Sequence, residues 1–126
     1  MKFYFEKGDV NMPYIQTKTN IPITEEQEIK LKSEMGKLIE LYPGKTESRL
    51  MLGFEDNCRL WFGGKNDTPI AFVQVMLFGN EVNREGADKL TSAISKLLKD
   101  VLNIESNKIY INYSAFANWG SNGANF

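Results

Sequence analysis

Histidine is missing from all 126 residues of this chain, and cysteine occurs once. The first absence removes the side chain that most often acts as acid or base at neutral pH, and with it His-based triads and imidazole metal ligands. Any proton-transfer chemistry must find its base elsewhere. The lone Cys58 leaves no internal disulfide and no thiol pair for redox exchange, the usage of a reducing compartment. Excess charge is lacking too. Fifteen basic residues against 16 acidic give a formal net charge of -1, with both signs interspersed, so neither phosphate-backbone binding nor a basic membrane-surface patch is expected. Near the start, Phe3, Tyr4 and Phe5 are cut off by Glu6, Lys7 and Asp9 before a signal-peptide apolar region can develop. A cytoplasmic location is therefore expected, with non-classical secretion left open.

What is present fits one compact domain with a real core, at 42% hydrophobic and 25% charged residues. Residues 14–19, rich in Ile and Thr, predict a short strand that stops at Asn20-Ile21-Pro22. Thr24-Glu25-Glu26-Gln27 has capping-box spacing and opens a helix with the apolar stripe Leu31, Met35, Leu38, Ile39 and Tyr42, ended by Pro43-Gly44. A strand is expected over residues 49–54, and a short one over Arg59-Leu60-Trp61-Phe62 turning at Gly63-Gly64. Residues 70–78 are apolar except for Gln74, the pattern of a central strand buried on both faces. Asn83 is the expected N-cap of a second helix with the stripe Leu90, Ile94, Leu97, Leu98 and Val101. Ile109, Ile111 and Tyr113 alternate as a last strand.

These two halves repeat at one offset. Leu90 lies 59 residues after Leu31, and the same offset of 59 relates Met35 to Ile94, Leu38 to Leu97, Ile39 to Leu98 and Tyr42 to Val101. It also pairs cap Thr24 with Asn83, terminator Gly44 with Asn103, and Leu50, Leu52 and Phe54 with Ile109, Ile111 and Tyr113. Agreement of caps, terminators and strand phase marks a tandem β-α-β pseudo-repeat. Two right-handed crossovers on one sheet set both helices on the same face, which gives a two-layer α/β sandwich with a four-stranded mixed sheet. The other face, carrying half of residues 70–78, then needs a cover, and a second copy of the chain is the simplest one.

The stretch Met12-Pro13-Tyr14-Ile15 opens the first strand. If the chain began at Met12 and that residue were trimmed, Pro13 would carry a secondary amine, a base near neutral pH, where an internal proline has a non-basic imide. Residues 1–11 then read either as a genuine N-terminal extension, with an edge strand over residues 2–5, or as a start assigned upstream of the true one. The second reading is favoured, with Lys7-Gly8-Asp9 encoded by a purine-rich stretch ahead of Met12. Residues 12–126 form the domain.

The Met-Pro strand start, Gly44-Lys45, Phe62-Gly63-Gly64, Pro69-Ile70-Ala71, Tyr110-Ile111-Asn112-Tyr113 and the tail from Asn118-Trp119-Gly120 to Phe126 together resemble macrophage migration inhibitory factor and its relatives in the tautomerase superfamily. The resemblance covers residues 12–126. It implies a homotrimer whose sheets wrap into a barrel, which would supply the missing cover, and a keto-enol tautomerase acting on phenylpyruvate-like aromatic 2-keto acids without cofactor or metal. Pro13 matches the general base, and Lys45 the cation that meets the substrate's carboxylate or carbonyl oxygen. Phe78 matches a backbone amide at the substrate. Tyr110 and Asn112 match residues supplied by the neighbouring subunit, while Trp119 and Phe126 would line the mouth. The alternative is a non-catalytic trimer, either a cytokine mimic for a host receptor or a small-molecule binding scaffold.

The same residues also have plainer readings. Proline is tolerated at a strand's first position, a lysine past a helix end favours the helix dipole, and Tyr110 and Asn112 on the face opposite Ile109 and Ile111 fit a solvated surface. Departures from the family pattern bear on the substrate. Arg49 stands where the human cytokine has an aromatic residue, adding a guanidinium able to pair with acidic substrates; Ser121 replaces an aromatic in the tail. Ile70 and Val73 occupy the positions of a Cys-x-x-Cys pair found in some relatives, so thiol-disulfide activity is not expected.

Overall fold

The structure, a computed structural model, describes residues 12–126; the expected extension and edge strand at residues 1–11 lie outside them. Strand β1 (Pro13–Thr19) leads into helix α1 (Glu25–Leu38), followed by strands β2 (Met51–Glu55) and β3 (Ala71–Phe78), helix α2 (Arg84–Leu102) and strand β4 (Ile109–Phe116). The four strands form one mixed sheet in the order β2-β1-β3-β4. β1 pairs parallel with β2 and β3 parallel with β4, while β1 and β3 run antiparallel at the centre.

Local signals set the helices. The Thr24 side chain accepts from the Gln27 N–H while Gln27 reaches back to the Thr24 N–H, a complete capping box, and the Asn83 side chain accepts from the Gly86 N–H at the start of α2. Glu25, Glu26 and Glu28 in the first turn of α1 complement its dipole. Beyond Leu38 the helix tightens into a 3-10 turn, Ile39–Leu41, which carries the last part of the apolar stripe.

One core joins both helices to one sheet face. Ile15, Leu31, Met35, Ile39, Val73, Val75, Leu77, Leu90, Ile94 and Leu98 are all buried in it, each such burial contributing about 1.5–3 kcal/mol. The strands alternate accordingly: Ala71, Val73, Val75 and Leu77 face the helices, and Phe72, Gln74, Met76 and Phe78 stay half-buried on the other side. The expectation that β3 is buried on both faces is thus corrected for the single chain. β4 ends the sheet, and its outer-face residues Tyr110, Asn112, Ser114 and Phe116 are exposed.

The repeat holds at the helix starts, along the apolar stripes and in the strands that follow, although α2 stays α-helical to Leu102 where α1 turns 3-10 after Leu38. Gly44 and Asn103, its partners by offset, both take left-handed backbone at φ 79 and φ 58. The first strands depart from it, because the offset of 59 carries buried Ile15 onto Gln74, on the outer face. Two other expectations need correction. Arg49 lies in a 3-10 turn, Glu47–Arg49, before β2 begins. Residues 59–62 form no strand; only an isolated bridge between Phe62 and Lys65 spans the Gly63-Gly64 turn, since consecutive glycines with φ 60 and φ 80 reverse the chain at once.

Candidate active site

The sequence Tyr42-Pro43-Gly44-Lys45 builds a type II turn: proline at the second position, Gly44 at φ 79 at the third, and the Lys45 N–H donating to the Tyr42 carbonyl at 3.2 Å. That turn folds the Lys45 side chain inward. Lys45 is only 7% exposed, and its Nζ lies 3.4 Å from the Phe78 carbonyl oxygen. Burial disfavours its charged form and holds the ammonium below the ordinary lysine value of 10.5. A cavity of about 360 Å³ opens beside it, lined by Tyr42, Pro43, Leu77, Phe78, Glu81 and Asn83 among others.

Pro13 reaches the same end of the sheet. It is buried at the first position of β1, in register with Leu77, and the Phe78 N–H donates to the Met12 carbonyl at 3.4 Å. Phe78 is therefore held by its backbone between Met12 and Lys45. Its ring receives the C-terminal segment. Two short strands, β5 (Gly120–Ser121) and β6 (Ala124–Asn125), form a hairpin through Asn122 and Gly123, both at positive φ. The Phe126 N–H closes onto the Trp119 carbonyl at 2.8 Å, and both aromatics pack on Phe78, with ring centroids 5.7 Å (Phe126) and 6.4 Å (Trp119) away. Of the expected residues, Lys45 meets the Phe78 carbonyl, Trp119 and Phe126 meet its ring, and Pro13 lies in register with the adjacent Leu77, while only Lys45 and Phe78 line the cavity itself.

Tyr110 and Asn112 do not join them within one chain. Tyr110 pairs with Phe72 on β3 and Pro13 with Leu77, five residues apart, which at about 3.3 Å per residue is roughly 17 Å. Tyr110 is 64% exposed and its ring lies against Phe62 at 5.2 Å. Arg49 is exposed on its 3-10 turn. A second copy is needed before Tyr110 or Asn112 can meet Lys45.

Two features escaped the sequence reading. Glu81, on the loop after β3, is an acidic residue in the lining of the cavity that Lys45 shares. Lys45 itself stands out more than its motif did. The offset of 59 pairs it with Ile104, which is fully buried, so a lysine occupies what the other repeat uses as a core position. That exchange was visible in the sequence. Among the described residues no cluster of acidic, cysteine or histidine side chains is arranged to hold a metal.

The family model for macrophage migration inhibitory factor matches residues 12–126. The chain belongs to this family. It shares 27% identity with the crystal structure of Leishmania major MIF2 at a TM-score of 0.84, covering 92% of this chain and 98% of that one. The macrophage migration inhibitory factor-like protein of Entamoeba histolytica is 26% identical at a TM-score of 0.80, covering 91% and 99%. The Toxoplasma gondii factor, at 22% identity, shares the fold with a TM-score of 0.79 over 90% of this chain and 99% of that one. No curated protein sequence matches significantly. The four-stranded sheet with two helices is thus the macrophage migration inhibitory factor fold, within the tautomerase superfamily.

Proposed function

We propose that this chain is a keto-enol tautomerase of phenylpyruvate-like aromatic 2-keto acids, acting as a homotrimer with Pro13 as general base in the form whose chain begins at that residue. The observation that carries the proposal is the buried Lys45 beside Phe78, at the strand end where Pro13 begins. An ammonium with few water neighbours stabilises a developing enolate more strongly than one in bulk solvent. Relatives in the superfamily are often isomerases and typically oligomeric. A neighbour of the same fold, 19% identical, is inactivated by 2-oxo-3-pentynoate, itself a 2-keto acid.

In the proposed mechanism the Pro13 amine removes a proton from the carbon next to the substrate carbonyl, and the resulting ammonium returns that proton to the enolate oxygen. Pro13 is buried, and burial disfavours the charged form of an amine, the setting that a proline base needs. Lys45 binds the carboxylate or carbonyl oxygen and balances the enolate. Loss of residues 1–12 would also release the Phe78 N–H, which here bonds Met12, for the substrate. Tyr110 and Asn112 of an adjacent copy hold the far end of the ring, Trp119 and Phe126 line the mouth, and Arg49 adds preference for acidic substrates. The uncharged, eight-residue edge strand β4 supports assembly, because such edges pair with another chain unless blocked.

The Met12 to Phe78 hydrogen bond favours the second reading for the full chain: with Pro13 an imide, the trimer would be a non-catalytic binding scaffold or a ligand for a host receptor. The test compares the full chain with one beginning at Pro13, following phenylpyruvate enol absorbance. Turnover only in the shorter form, lost in Pro13→Gly, supports the isomerase. Ligand binding without turnover in both forms supports the scaffold. A mass increment from 2-oxo-3-pentynoate on the shorter form alone would locate a reactive amine at Pro13.

A further inference from the structure

We propose that Tyr42 is a positioning residue for Lys45, its phenol pinning the 42–45 turn to the start of α2 so that the ammonium stays beside the Phe78 carbonyl. This rests on the reading of Lys45 as the cation that meets substrate.

Tyr42 sits at the first position of the type II turn and is buried. Its N–H donates to the Ile39 carbonyl at 3.0 Å, closing the preceding 3-10 turn, and its carbonyl accepts from the Lys45 N–H at 3.2 Å, closing the type II turn. Its hydroxyl oxygen accepts the Asn83 N–H at 2.6 Å, a contact across 41 residues. Asn83 is itself fixed, because its side chain accepts from the Gly86 N–H at 2.8 Å and its carbonyl from the Ala87 N–H at 2.9 Å. The phenol is therefore anchored to the N-cap of α2, a residue tied by two hydrogen bonds to the first turn of the helix.

Packing enforces the same arrangement. A Cβ added at Gly86 would lie 2.7 Å from the Pro43 ring and 2.9 Å from the Tyr42 ring, so the turn rests directly on the helix backbone. The ring packing restrains the turn's distance from α2, and the hydroxyl restrains its sliding along it. The opposite end of the helix pair makes its tie without a hydroxyl. There Gln27 Nε2 donates to the carbonyl of Val101, the offset partner of Tyr42, at 3.4 Å. That end leads to Ile104, a core side chain held by packing alone. Only the repeat that must aim an ammonium carries the phenol. Asn83 and the loop from Phe78 to it form the wall of the Lys45 cavity, so one hydrogen bond joins the two sides of the pocket.

The test is Tyr42→Phe, which keeps the ring on Gly86 and removes only the acceptor, with Tyr113→Phe as the matched control. The Tyr113 hydroxyl lies 2.9 Å from Thr91 Oγ1 and donates to the Ala87 carbonyl at 3.0 Å, a comparable half-buried bond on the same helix that does not touch Lys45. Trace acetylation with acetic anhydride, read by peptide mass spectrometry against exposed Lys32 and Lys89, reports the access of Lys45 whether or not the protein turns over substrate. In Tyr42→Phe the labelling of Lys45 should rise about fivefold or more, and kcat/KM of the chain beginning at Pro13 should fall about tenfold, mostly through KM. Tyr113→Phe should move neither. Unchanged labelling in Tyr42→Phe, or equal changes in both variants, would overturn the proposal. Changed labelling in a protein with no turnover in any form would sustain the positioning role and reject the tautomerase.

Discussion

Replacing Thr17 by valine should make this protein more stable, although the substitution deletes a hydroxyl from a strand. Thr17 lies on the helix-facing side of β1, fully buried, in register with Phe54 on β2 and Val73 on β3. Its Oγ1 is buried with no hydrogen-bond partner. A buried hydroxyl left unbonded costs about 1–3 kcal/mol, and a valine methyl in its place adds apolar burial of about 0.8 kcal/mol. Imperfect fit of the new methyl offsets part of this, so the net expectation is a gain of about 1–2 kcal/mol. Two residues on, Thr19 supplies the contrast. It is equally buried, but its Oγ1 donates to the Ile70 carbonyl at 2.7 Å, and Thr19→Val should cost about 1 kcal/mol. Urea unfolding of both variants at one fixed protein concentration, which holds any association term constant, should give midpoints shifted in opposite directions. In thermal melts the Thr17→Val gain corresponds to roughly 3–8 °C. A destabilised Thr17→Val, or shifts of the same sign at both positions, would refute the accounting of buried polar groups on this strand.

Lys45→Met should lower kcat/KM of the chain beginning at Pro13 by about hundredfold or more, measured on phenylpyruvate enol. It should also flatten the alkaline stability profile. Burial sets the folded pKa of Lys45 below 10.5, so between that depressed value and 10.5 the unfolded chain binds more protons and the wild type gains stability as pH rises; unfolding midpoints across that window would show the gain absent from the variant. Gly86→Ala should cost about 1–3 kcal/mol in denaturant unfolding, because the added Cβ meets the Pro43 and Tyr42 rings at 2.7 and 2.9 Å. Thr24→Ala should lose about 1 kcal/mol with the capping box of α1, and Thr24→Asp, which keeps an acceptor, should recover most of it.

Both helices and the pseudo-repeat were legible because their causes are local. Caps at Thr24 and Asn83, left-handed stops at Gly44 and Asn103, and apolar stripes three and four residues apart act within one or two turns. The strand reading failed where local pattern and chain direction conflict: Arg59-Leu60-Trp61-Phe62 has strand composition, yet Asn57 at φ 55 before it and Gly63-Gly64 after it bend the chain away from any partner. Arg49 fell outside β2 for a related reason, since the 3-10 turn uses the residues that link the Lys45 turn to the sheet.

By itself, the sequence determined that two β-α-β units would form, where each helix would begin and which stripe it would bury, but not that α1 would tighten into a 3-10 turn after Leu38. Only the tertiary structure decided what those units bring together. The antiparallel pairing of β1 with β3 sets Pro13 beside Leu77 and Phe78, the type II turn drives Lys45 into a position that its repeat partner Ile104 fills as core, and the C-terminal hairpin returns Phe126 to the same ring. Those contacts span 33 to 64 residues of chain, from Lys45 to Phe78 and from Pro13 to Leu77, beyond the reach of any helical or strand period. The same pairing leaves Tyr110 at the far end of the sheet, in register with Phe72 and not with Leu77, a separation that no local propensity specifies.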